Sequence, residues 1–84
     1  MNDIILQTYI NKINKGHIIE YAKKEGIILT NNETEIIYEY IKKYWKRFYY
    51  ENPTDLLSEL KEKLSNTTYN KLENLYYEYK KIQK

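Results

Sequence analysis

Between Thr30 and Pro53 the chain encodes a helix with both of its ends marked. Thr30-Asn31-Asn32-Glu33 has capping-box spacing: the threonine hydroxyl can accept the Glu33 backbone N–H, and the glutamate can reach back to the threonine N–H. At the far end Asn52-Pro53 is a stop, because proline disfavours α geometry in the residue before it and suits the first turn of a new helix. Between these marks Ile37, Ile41, Tyr44 and Phe48 fall within a narrow arc, with Tyr40 and Trp45 on its flanks. The spacing predicts a long helix ending at about Tyr50.

The rest of the chain follows the same period, and no hairpin or βαβ pattern interrupts it. A first helix fits Asp3 to Ile13, with Ile5, Leu6, Tyr9, Ile10 and Ile13 on one broad stripe. Asn14 is placed to cap a second, short helix whose apolar side is Ile18, Ile19, Tyr21 and Ala22. Gly26 stands where a left-handed residue should close that helix. Ile27 to Leu29 is too short for a helix and β-branched at two positions, so it is expected to be an extended, buried connector. After Pro53, Leu56, Leu57, Leu60 and Leu64 mark a fourth helix. Ser65 to Thr68 is a polar break rich in capping residues, and Leu72, Leu75, Tyr76 and Tyr79 align on a fifth. The expected fold is all-α, a compact bundle of about five helices, two of them short, with no sheet, over a single domain 1–84.

Composition narrows the function classes. A chain of 84 residues hides too little surface to spare much core for a deep pocket. Without cysteine there is no disulfide, thiolate nucleophile or Cys-based metal site. No apolar run approaches a membrane span, and the N-terminus lacks the basic start and small-residue cleavage site of a signal peptide. A cytoplasmic setting is expected, with no membrane partner. The net charge of +2 is nearly balanced, and Arg47 is the single arginine among 14 basic residues.

Catalytic patterns are missing. His17 is the only histidine, and neither Ser58 nor Ser65 sits in a nucleophile elbow. His17 and Glu20 are one helical turn apart, but a single such pair makes no metal site. Two glycines, Gly16 and Gly26, cannot build a phosphate-cradling loop. A non-enzymatic protein is expected, with no cofactor, metal or small-molecule substrate.

The stretch Ile41 to Tyr50, IKKYWKRFYY, holds four basic residues and five aromatics. On a helical wheel Lys42, Lys43 and Lys46 point away from the aromatic arc, as do Glu35 and Glu39. A single-strand-binding surface needs rings and cations side by side, so the pattern favours a core stripe with a solvated charged back. Tyr49 and Tyr50 fall off the inner arc beside Arg47 and Lys46. Tyr77 likewise points outward on the last helix, followed by Lys80, Lys81 and Lys84. Exposed tyrosines near cations suit a protein interface. The expected function is a protein-interaction module, self-association included, with Tyr49, Tyr50 and Tyr77 as contacts. The alternative is weak nucleic-acid binding through Lys42, Lys43, Lys46 and Arg47.

Two resemblances bear on this. Ile18-Ile19-Glu20-Tyr21-Ala22-Lys23, the connector Ile27 to Thr30 and the cap at Ser65 to Thr68 resemble the YqfT-like family of small uncharacterised Bacillota proteins. Its cap proline is absent here, and the segment from Trp45 to Pro53 departs from its pattern. The likeness implies a small helical fold in a cytoplasmic setting and brings no activity or binding residues. The run HIIEYAKKEGIILTNNETEIIYEYI is similar in shape to helix–extended-loop–helix nucleic-acid modules of the SAP type. Its second helix opens with Asn31, Asn32, Glu33 and Glu35, however, and carboxylates there repel phosphate.

Overall fold

The computed structural model describes residues 3–82. Lys84 and the side chain of Tyr79, both named above, lie outside the described residues. Five helices follow one another: α1 (Asp3–Lys12), α2 (Lys15–Lys24), α3 (Asn31–Tyr50), α4 (Thr54–Lys63) and α5 (Asn66–Ile82). No strand occurs among the described residues, so the fold is all-α. The chain's contacts group it into two compact units, one ending at Asn52 and the other beginning at Pro53.

Local chemistry sets the helix ends in the first unit. Asn14 caps α2, its side-chain oxygen accepting the His17 N–H at 2.9 Å while His17 Nδ1 accepts the Asn14 N–H at 3.2 Å. Histidine thus takes the returning role that Glu or Gln usually plays in a capping box. Gly26 adopts φ 78°, the left-handed conformation in which a Cβ is costly. The Ile27 N–H then reaches the Ala22 carbonyl (2.8 Å) and the Gly26 N–H the Lys23 carbonyl (3.1 Å), the paired bonds of a Schellman closure. Its hydrophobic partners Ala22 and Ile27 are both buried.

The box at the start of α3 forms as the sequence predicts: Glu33 N–H donates to the Thr30 hydroxyl at 3.1 Å, and Thr30 N–H donates to the Glu33 carboxylate at 3.2 Å. Glu33 is buried in this role, and the Thr34 hydroxyl donates to the Thr30 carbonyl at 2.9 Å. Ile18, Ala22, Ile27, Ile37 and Tyr40 are buried. Each fully buried Ile side chain is worth about 1.5–3 kcal/mol. α1 and α2 each pack on α3 more closely than on one another.

Three expectations need correction here. The connector alternates instead of being buried throughout: Ile27 is 3% exposed, Leu29 half-buried and Ile28 85% exposed, because extended backbone turns successive side chains to opposite sides. The stripe on α1 splits. Leu6, Ile10 and Ile13 are half-buried, but Ile5 (62%) and Tyr9 (66%) are exposed, since α3 can cover only one side of so broad an arc. On α2, Tyr21 is exposed beside buried Ala22. α3 also departs from a straight wheel. Tyr44 has φ −122° and ψ 15°, a kink with no proline or glycine near it.

In the second unit Leu56, Leu57 and Leu60 of α4 and Leu64 at its C-cap are buried, all four residues of the predicted stripe. Pro53 stands at the N-cap of α4, and Leu57 N–H donates to its carbonyl at 2.8 Å. The Ser65 hydroxyl accepts from Thr68 N–H at 3.3 Å, so α5 begins from a serine cap and no proline is needed. Tyr69 is buried, and its hydroxyl donates to Glu73 at 2.7 Å. Burial first, and that bond second, push its phenol up to about 12.

Candidate interaction surface

The basic–aromatic stretch of α3 is largely occupied by contacts within its own unit. Lys42 is half-buried, and its ammonium donates to the carbonyls of Ile10 (2.7 Å) and Asn11 (2.9 Å) at the end of α1. A cation is favoured there, where unsatisfied carbonyls and the helix dipole concentrate negative charge. Lys43 and Lys46 are exposed, yet each stem curls back to set its ammonium over a ring of its own helix. Lys43 lies 5.8 Å from the Tyr44 ring centre and Lys46 5.5 Å from that of Trp45. The strict segregation of rings and cations read from the wheel therefore relaxes, because a flexible stem lets the head reach across its helix. Arg47 is half-buried, with Nε 3.6 Å from Glu51. Ile41, Tyr44, Trp45 and Phe48 are all half-buried, as a covered stripe requires.

The predicted contact tyrosines are in three different situations. Tyr49 is half-buried and meets the Tyr50 ring edge-on at 4.6 Å. Tyr50 is half-exposed, but its hydroxyl donates to the Asp3 carboxylate and joins the end of α3 to the start of α1. That bond pushes the Tyr50 phenol up to about 12. Tyr77 belongs to the second unit, where it is 50% exposed beside Tyr76. Lys15 and Glu35 form an exposed ion pair at 2.7 Å that raises the lysine and lowers the carboxyl.

The most open apolar surface lies elsewhere. Held to α3 at one end by Lys42 and at the other by Tyr50, α1 has no buried residue. Between α1 and α2 runs a groove of about 340 Å³ lined by Tyr9 and Ile13 from one side and Tyr21 from the other. Ile5 lies one turn before Tyr9 on α1. Lys12 rims one wall, Lys24 and Glu20 the other. Neither lysine has an ion-pair partner among the described residues. The breadth of the α1 stripe, too wide for one neighbour, was the sequence signal that could have revealed this surface. Among the described residues no helix is long and apolar enough to cross a membrane, and no group of three or more His, Asp and Glu could hold a metal. Compared with family models, curated proteins and solved structures, the chain matches none.

Proposed function

We propose that this chain is a non-enzymatic, helical protein-interaction module whose contact surface is the outer side of α1 with the adjoining face of α2. The observation that supports the reading is the exposure of Tyr9 and Tyr21 in one groove, with exposed Ile5 one turn before Tyr9 on α1. Clustered apolar side chains rimmed by charge are typical of protein-binding surfaces. Tyr50 and Tyr77, each about half-exposed, remain additional contact positions in their respective units. Nucleic-acid binding through Lys42, Lys43, Lys46 and Arg47 is the weaker reading, since Lys42 is tied to α1 and Arg47 leans on Glu51. The test compares proteins captured from host extract by the wild type and by an Ile5→Ser, Tyr9→Ser variant, after nuclease treatment and at high salt. A prey that survives both treatments and disappears with the variant, at unchanged helix content, supports the reading. Capture that ignores the variant, or that nuclease abolishes, overturns it.

A further inference from the structure

We infer that the α1–α2 groove takes an acidic amphipathic helix of a partner protein, an inference that rests on the interaction reading above. The argument begins with size. The open parts of Ile5, Tyr9 and Tyr21 offer a few hundred Å² at most, on the order of half the ~800 Å² that each side of a standard protein interface contributes. That footprint suits one helix laid along a groove and is small for a whole second copy. Shape agrees with size. α1 and α2 each pack on α3 and leave a trough between them, and a helix with apolar residues at i, i+4 and i+7 fills such a trough.

Charge then selects the occupant. The rims carry the ammoniums of Lys12 and Lys24 against the single carboxylate of Glu20. Neither lysine is ion-paired among the described residues, so a partner with Glu or Asp flanking its apolar stripe meets both ammoniums without breaking a pair described there. Two copies of this groove face to face would oppose four ammoniums to two carboxylates, a like-charge excess that disfavours self-docking.

The probe is a synthetic helical peptide with leucines at i, i+4, i+7 and i+11 flanked by glutamates, beside a twin with lysine at every glutamate position. Titrations are followed by amide chemical shifts of the labelled protein and by fluorescence anisotropy of the peptide. The acidic peptide should shift Tyr9, Ile13 and Tyr21 and bind at least tenfold tighter than its basic twin at low salt, the gap closing as salt rises. Lys12→Glu with Lys24→Glu, both on exposed positions, should reverse the preference. Equal binding of the two peptides at the groove overturns the acidic preference while leaving the interaction reading in place. Shifts elsewhere, no binding by either peptide, concentration-dependent self-association through Tyr9 and Tyr21, or preferential uptake by phosphatidylglycerol vesicles each overturn the inference. Failure of both peptides together with variant-insensitive capture from extract sinks both proposals.

Discussion

Replacing Lys42 by methionine keeps the apolar stem and removes the ammonium that holds α1 to α3. Two charge-assisted bonds are lost, to Ile10 and Asn11 at 2.7 and 2.9 Å. Bonds to a charged group contribute about 1.5–3 kcal/mol each when well shielded. Here the losses are smaller. The Ile10 carbonyl also accepts from Ile13 N–H at 3.2 Å, and Asn11 is exposed, so water replaces part of what is removed. Loss of the cation from the α1 C-terminus adds about 0.3–1 kcal/mol. The expected total is about 1.5–2 kcal/mol. With a urea slope near 1 kcal/mol/M, the low end of the range for small proteins, the midpoint falls by roughly 1.5 M. Trp45, the only tryptophan, lies on α3, so its fluorescence follows the first unit. Lys43→Met is the control, because Lys43 is exposed and, among the described residues, makes a ring contact within its own helix. If the two variants shift the midpoint equally, Lys42 is an ordinary surface lysine and the account of how α1 is held fails.

Two further outcomes follow from the same geometry. Gly26→Ala must place a Cβ at φ 78°, so it should destabilise the first unit by about 1–2 kcal/mol; an unchanged urea midpoint would show that the α2 closure differs from the one described. Alkaline titration read at 295 nm should show late tyrosines, with Tyr50→Phe and Tyr69→Phe each removing one of them. Both phenols are pushed up to about 12 from an ordinary 10.0, so the folded state favours their neutral forms. Their stabilisation is fully present below pH 10 and disappears as pH rises towards 12. A single transition near 10 with the helices intact would contradict both contacts.

What the sequence disclosed depended on how local the cause was. The caps at Asn14, Thr30 and Ser65, the left-handed Gly26 and the stop at Asn52-Pro53 are decided within a few residues, and all appear where their chemistry puts them. The leucine stripe of α4 was equally legible, because it is narrow. The broad stripe of α1 was not, since a wheel shows which residues could be inside without showing how many neighbours exist to cover them. Lys42 misled for a related reason. Its position points off the aromatic arc, but its reach is set by a flexible stem and by carbonyls 31–32 residues away in sequence. His17 is exposed, and its capping role is not legible from the sequence because it requires an imidazole nitrogen to do the work of a carboxylate oxygen there.

The most direct measurement is a pair of unfolding curves taken on α1 variants. Serine, isoleucine and tyrosine have similar helix propensities and leucine's is better by less than about 0.7 kcal/mol, so these substitutions report packing more than backbone preference. Ile5→Ser with Tyr9→Ser should change stability by less than about 1 kcal/mol, whereas Leu6→Ser with Ile10→Ser, at half-buried positions, should cost about 1.5–3 kcal/mol. Equal losses from the two pairs would mean that Ile5 and Tyr9 are packed within the folded chain, and the open surface assigned to them would not exist.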